Sequence, residues 1–161
     1  MGRRENLDSI VTEWAPRVRV PIGVKAVPLL KAILMRESAY GTLTEPRRER
    51  AYCPGGRYYN EEQRERYVKF GVAAAMSYSA FQIMFPLACE LGYKGIPSIL
   101  GQDREAVRWV VEYLNDRIFG RQHAQTVLEI ADAYNSGNCR DRFKPLPYMQ
   151  AVSRFYKQFD V

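Results

Sequence analysis

The segment Pro28-Leu-Leu-Lys-Ala-Ile-Leu-Met-Arg-Glu-Ser-Ala-Tyr40 organises the rest of this chain. Leu30, Ile33 and Leu34 recur at the spacing of one face of an α-helix, and Glu37 takes the next position on that face. A carboxylate in line with an apolar stripe loses hydration, which favours its protonated form and suits a proton donor. Alternatively, Glu37 lies at the rim of the stripe and pairs with a basic side chain. On this spacing alone, such rim glutamates are the more common case.

The pattern of the whole chain predicts a mainly α fold. The segment above predicts a helix from about residue 25 to residue 39, which Gly41 ends. Apolar spacing and capping residues predict further helices at about residues 7–14, 60–76, 80–91, 103–119, 124–134 and 146–159. Their expected N-terminal caps include Asp8, Asn60, Ser77 or Ser79, and Asp103. Residues 42–60, with their glycines, prolines and tyrosines, predict a long irregular loop or a small hairpin.

Length and composition indicate one domain over residues 1–161. The chain is 47% hydrophobic, which is enough apolar material for a single core. We expect residues 1–19 to form an N-terminal helix and its lead-in, and residues 42–60 to be a surface loop inserted into the domain. No apolar run approaches the length of a membrane span, and no hydrophobic segment typical of a signal peptide follows the N-terminus.

The formal net charge of +6 favours an anionic partner. Nucleic acid, an anionic cell wall and a membrane surface all fit that sign, so charge alone does not choose among them. The basic residues are scattered except for a cluster at Arg47, Arg48 and Arg50, and no helix-turn-helix or zinc-finger spacing is visible. We therefore expect no nucleic acid as the partner.

The cysteines and the histidine do not indicate a metal site. Cys53, Cys89 and Cys139 are far apart and lack the close ligand pairs of a structural zinc site. We expect free, mostly buried thiols, as in a protein made in a reducing compartment. His123 is the single histidine, and a surface or capping role is expected for it.

Three segments stand together as a candidate site: Glu37-Ser-Ala-Tyr40, Ser79-Ala-Phe-Gln-Ile-Met84 before Pro86, and Ala133-Tyr-Asn-Ser-Gly137. In order and character they resemble motifs of the soluble lytic transglycosylases, which belong with goose-type lysozyme in the lysozyme-like superfamily. The resemblance covers most of the chain from about residue 20. It implies a lysozyme-like helical domain that needs no cofactor and no metal, acting on the glycan strand of peptidoglycan as a monomer.

The resemblance also implies roles for individual residues. Glu37 matches the catalytic acid and base of that family, and Tyr134 matches the tyrosine whose hydroxyl approaches the catalytic carboxyl. The other expected substrate-binding residues are Tyr40, Ser77, Ser79, Gln82, Met84 and Asn135. From the residues alone, Tyr134-Asn135 can equally be a packing aromatic and a helix-ending asparagine, and Gln82 a buried polar group bonded to backbone.

The chain departs from the family pattern at several positions. The family's G-A-x-G-L-M-Q is here Met76-Ser-Tyr-Ser-Ala-Phe-Gln82, and Phe85 is an extra residue before Pro86. The family's short connection after the catalytic helix is expanded into residues 42–60. A serine that orients the glutamate aligns with Ala73, so Ser77 or Ser79 would replace it. These departures affect the shape of the groove and the substrate register.

The expected reaction is cleavage of the β-1,4 bond between N-acetylmuramic acid and N-acetylglucosamine. Glu37 would protonate the leaving oxygen. The resemblance implies that the substrate's N-acetyl group and 6-hydroxyl then act in place of a second carboxylate, giving a 1,6-anhydro product. If a second carboxylate operates, Glu45 is the nearest candidate, although an exposed glutamate paired with Arg47 or Arg48 is the simpler interpretation.

Two other functions stay open at this point. One is an inactive glycan-binding module of the same fold, and the other a basic helical protein that binds nucleic acid. The absence of a signal peptide predicts synthesis in the cytoplasm and action on the wall after release or non-classical export.

Overall fold

The computed structural model describes residues 2–137 and 145–161. In these ranges the chain is mainly helical, which confirms the predicted fold class. The α-helices are α1 (Arg3–Trp14), α2 (Ala26–Ser38), α3 (Glu61–Phe70), α4 (Phe85–Glu90), α5 (Pro97–Leu100), α6 (Asp103–Tyr113), α7 (Val127–Ser136) and α8 (Pro147–Phe159). A π-helical segment, Leu114–Arg121, continues α6.

Helix α2 lies at the centre of the core, as its sequence pattern predicts. Leu29, Leu30, Ile33 and Leu34 are each at most 1% exposed. α2 packs along α8, which also packs on α7, while α1 lies against α6 and α2. Each of these buried aliphatic side chains contributes roughly 1.5–3 kcal/mol to stability. The last turn of α2, which carries Glu37, is therefore held from several sides.

Three short antiparallel strands form a small sheet beside the helices. They are β1 (Arg47–Arg48), β2 (Met76–Tyr78) and β3 (Ile83–Met84), in the order β1-β2-β3. Arg47 pairs with Ser77, and Ser77 pairs with Met84. The sheet thus joins the loop after α2 to the segment that resembles the second motif.

The helices predicted at residues 60–76 and 80–91 are wrong in their bounds. α3 ends at Phe70 because Gly71 adopts φ 62° and ψ −146°, a conformation that is essentially restricted to glycine. A 3₁₀ turn, Gly71–Ala75, then leads into β2. Ser79 and Gln82 have φ values of 70° and 51°, so the chain turns between β2 and β3 where we predicted the start of a helix.

The segment at residues 42–60 is irregular, as predicted, but it forms no hairpin of its own. Its strand β1 pairs with β2 across a long stretch of sequence. The buried amide of Gln63 donates to the carbonyls of Tyr52 and Ala74, tying the segment to the lead-in of the sheet. Gly56 packs tightly: a Cβ there would lie 2.4 Å from the carbonyl oxygen of Ala51.

Two predicted helix caps are also wrong. α1 begins at Arg3, so Asp8 lies inside the helix, where it accepts a hydrogen bond from the hydroxyl of Tyr40 in the turn after α2. α6 has Gln102 as its N-cap, and Asp103 is the first helical residue. α7 begins at Val127, three residues later than predicted, after a capping box formed by Thr126 and Glu129.

The described cysteines are free thiols, Cys53 buried and Cys89 partly buried, as predicted. Cys139 lies outside the described residues. His123 is exposed at the surface, in a left-handed conformation with φ 53°. In the described parts of the chain no helix has the length and apolar character needed to cross a membrane.

Candidate active site

A cleft of about 330 Å³ opens where the C-terminal end of α2 meets the sheet and the adjoining ends of α7 and α8. Five of the eight site residues predicted from sequence line it: Glu37, Gln82, Met84, Tyr134 and Asn135. Its other lining residues are Arg36, Arg47, Arg48, Glu49 and Tyr148. The cleft thus brings together one residue or more from each of the three candidate segments.

Glu37 occupies the last turn of α2, and its side chain is 8% exposed. The hydroxyl of Tyr148 donates to Glu37 Oε1 at 2.5 Å, and Arg47 Nη2 donates to Oε2 at 2.6 Å. Both oxygens of the Glu37 carboxyl are therefore held by donors from the protein. The helical stripe predicted apolar surroundings for the Glu37 carboxyl, and that prediction is wrong. Glu37 is buried, but its carboxyl oxygens contact a phenol and a guanidinium.

Gln82 is held in the turn between β2 and β3. Its left-handed backbone is uncommon for a residue with a Cβ, and such strain is concentrated at functional sites. Its side-chain Nε2 donates to the carbonyl of Ser79 at 2.9 Å, and its Oε1 accepts from Arg47 Nε at 2.7 Å. The side chain is thus oriented toward the same guanidinium that contacts Glu37.

The tyrosine hydrogen-bonded to Glu37 is Tyr148, where the resemblance implied Tyr134. Tyr134 lines the cleft, but its hydroxyl donates to the carbonyl of Phe81 at 3.1 Å. Burial, and next the charge of Glu37, raise the pKa of both tyrosines well above the ordinary value. Both phenols are therefore protonated donors at neutral pH. The sequence signal for Tyr148 was its place in Tyr148-Met-Gln-Ala-Val152, a stretch near the C-terminus to which the resemblance also extends.

Three predicted substrate-binding residues do not line the cleft. Tyr40 is buried, and its hydroxyl donates to Asp8 Oδ1 at 2.5 Å. The buried Ser77 hydroxyl donates to Glu49 Oε1. Ser79 is buried in the turn, where its Oγ accepts from the backbone N–H of Phe81. The hydrogen bonds of these three side chains are therefore made within the protein, away from the lining of the cleft.

The second carboxylate that lines the cleft beside Glu37 is Glu49, whereas Glu45 is exposed and does not line it. Glu49 follows β1 directly, two residues after Arg47, and extended backbone carries residues at that spacing to one face. The sequence signal for Glu49 was therefore its position two residues after Arg47 in an extended segment. We had interpreted that segment only as a cluster of positive charge.

A second cavity of about 450 Å³ adjoins the first, with Glu49, Met84, Tyr134 and Asn135 shared between the two. It extends the groove toward the inserted loop and α7, and its further aromatic lining consists of Tyr52, Tyr58 and Tyr113. Polar side chains and tyrosine rings thus line one groove, and a ligand with both polar and apolar surfaces can contact both.

No cluster of three or more His, Cys, Asp or Glu side chains able to hold a metal ion occurs in residues 2–137 and 145–161. The described side chains can instead supply proton donors, carboxylates and guanidinium groups. Comparison of the chain with models of protein families, with curated proteins and with solved structures finds no match. The interpretation of the cleft consequently depends on its own geometry and chemistry.

Proposed function

We propose that this chain cleaves the β-1,4 bond between N-acetylmuramic acid and N-acetylglucosamine in peptidoglycan, with Glu37 as general acid and then base. One observation carries the proposal: segments distant in sequence, each resembling a lytic transglycosylase motif, contribute Glu37, Gln82, Met84, Tyr134 and Asn135 to one cleft.

The chemistry of the cleft supports a role for Glu37 in proton transfer. When a protonated Glu37 gives its proton to the leaving oxygen, it becomes a carboxylate with little solvent around it. The Tyr148 hydroxyl, at 2.5 Å from Oε1, stabilises that carboxylate. A donor aimed at charge that develops during the reaction lowers the barrier.

Two fates of the sugar are compatible with the residues of the cleft. In the reaction implied by the resemblance, the 6-hydroxyl of the muramic residue attacks its own anomeric carbon, and Glu37 takes up the proton of that hydroxyl. In hydrolysis, a carboxylate activates a water molecule instead. Glu49 is the second carboxylate on the wall of this cleft and the group available for that role.

The test is incubation of the purified chain with peptidoglycan sacculi, followed by mass spectrometry of the released fragments. We expect fragments from the wild type, with anhydro ends if the 6-hydroxyl attacks and reducing ends if water does. Glu37→Gln should release fragments about 100- to 10,000-fold more slowly and keep its fold by circular dichroism. Glu45→Gln, an exposed glutamate outside the cleft, is the matched control and should release fragments normally. No release by the wild type would refute the proposal.

A glycan-binding module without turnover is the second candidate. The observation that favours it is the ion pair between Arg47 and Glu37, which occupies Oε2 and so blocks one of the two oxygens that could give a proton to a ligand. Such a module would bind sacculi without releasing fragments, and Glu37→Gln would leave that binding unchanged. Cosedimentation with sacculi, measured beside fragment release, separates the two functions.

A further inference from the structure

Arg47 bridges the two polar groups at the centre of the cleft. Its Nη2 donates to Glu37 Oε2 at 2.6 Å and its Nε to Gln82 Oε1 at 2.7 Å. A guanidinium has five N–H donors, so others stay available to a ligand. Its side chain is 53% exposed, whereas that of Glu37 is 8% exposed. Arg47 therefore faces both the carboxyl and the solvent side from which a ligand enters.

Glu37 needs one free oxygen to carry a proton to a glycosidic oxygen. Its Oε1 is engaged by the hydroxyl of Tyr148, whose ring is buried and has the guanidinium of Arg36 at 4.8 Å from its centroid. Its Oε2 is engaged by Arg47, a long, half-exposed side chain on a two-residue strand of the inserted loop. Arg47 is the partner with room to move, so a productive complex requires it to leave Oε2.

A ligand can draw Arg47 away by offering it another anion. Guanidinium groups bind carboxylates through paired, charge-assisted hydrogen bonds. Arg36 and Arg48 line the same cleft, and neither makes an ion pair with any residue in the described part of the chain. The cleft thus contains cationic groups in excess of their carboxylate partners, which suits a ligand that carries a negative charge.

We propose that Arg47 is a specificity residue that recognises a carboxylate on the substrate and, by moving onto it, frees Glu37. This inference depends on the proposed function, within which the carboxylate is the lactyl group of N-acetylmuramic acid. That carboxylate is free on strands without peptide stems and is consumed as an amide where a stem is attached. Stem-free strands are therefore the preferred substrate.

The experiment compares a stem-free tetrasaccharide of alternating N-acetylglucosamine and N-acetylmuramic acid with its lactyl methyl ester. We expect the wild type to favour the free acid by about tenfold or more in kcat/KM, as a hydrogen bond to a charged group allows. Arg47→Gln should lose that preference, mainly through a higher KM for the acid. Arg47→Lys should restore part of it, because the charge returns. Arg50→Gln, an exposed arginine of the same loop outside this cleft, is the control and should keep the wild-type preference.

Equal cleavage of acid and ester by the wild type would overturn the inference and leave the proposed function standing. A preference that survives in Arg47→Gln would also overturn it. If the wild type cleaves neither compound nor sacculi, the proposed function fails, and calorimetry then decides the inference. Tighter binding of the acid than of the ester, lost in Arg47→Gln, would support carboxylate recognition, and equal binding would refute it.

Discussion

Replacing Tyr148 by phenylalanine removes one oxygen atom from the cleft and leaves the ring in place. The lost hydroxyl donates to Glu37 Oε1, and no other donor to that oxygen occurs among the hydrogen bonds of the described residues. Tyr148 is 8% exposed, so water has little access to replace it. We expect Tyr148→Phe to keep the fold and to lose most of the activity.

The size of the loss follows from the charge on Glu37. A hydrogen bond to a charged group contributes about 1.5–3 kcal/mol, more than a bond between neutral groups. If Tyr148 donates mainly to the carboxylate that forms as Glu37 gives up its proton, the barrier rises by that amount. At 1.36 kcal/mol for each factor of ten, the rate should fall about 10- to 100-fold.

The assay is the initial rate of fragment release from sacculi, with the midpoint of thermal unfolding measured on the same samples. Tyr156→Phe is the matched control because Tyr156 lies on the same helix and its hydroxyl accepts from the backbone N–H of Lys25, outside the cleft. The control should lose about 0.5–1.5 kcal/mol of stability and keep its rate.

Tyr148→Phe with a wild-type rate would refute the reasoning, because the phenol would then contribute nothing to the charge on Glu37. A rate that falls equally in Tyr148→Phe and Tyr156→Phe would also refute it, since the loss would then reflect the stability of α8 rather than the chemistry of the cleft.

Two further predictions concern the scaffold that holds α2. Leu30→Ala should lower the free energy of unfolding by about 2–5 kcal/mol because Leu30 is fully buried. Val27→Ala, on the exposed side of α2, should lower it much less. Urea unfolding of both variants measures the two losses, and equal losses would contradict the packing of α2. The pKa of Asp8 is lowered because hydrogen bonds from Lys31 and Tyr40 outweigh desolvation, the largest single contribution, which raises it. The stability that comes from a lowered pKa is present above the unfolded value of 3.8 and is lost as pH falls through the folded value. Asp8→Asn should therefore flatten the pH dependence of the free energy of unfolding below about pH 4. The same pH dependence in Asp8→Asn as in the wild type would contradict this.

Much of the fold was predictable because local pattern and tertiary packing agree along α2 and α8. The stripe of Leu30, Ile33 and Leu34 predicts both the limits of α2 and the face it buries. Residues 71–84 could not be predicted from the same rules. Their alanine-rich composition suits a helix, but pairing of β2 with β1 from the inserted loop determines their structure.

The residues of the candidate site also fall into two groups: those that local sequence patterns predict and those that they do not. Glu37, Gln82 and Tyr134 were predictable because short motifs carry them. Arg47 and Glu49 were not, because they reach the cleft through strand pairing between distant segments, which helical periodicity does not report. The inserted segment was predicted as a surface loop, and the structure places its residues Arg47, Arg48 and Glu49 in the wall of the cleft.

The central claim is that Glu37 transfers the proton that breaks the glycosidic bond. The most direct measurement is the rate of fragment release by Glu37→Gln relative to the wild type, on identical sacculi and with the folds of both verified. We expect a loss of about 100- to 10,000-fold, the contribution typical of a general acid. A Glu37→Gln variant that releases fragments at the wild-type rate would contradict the claim.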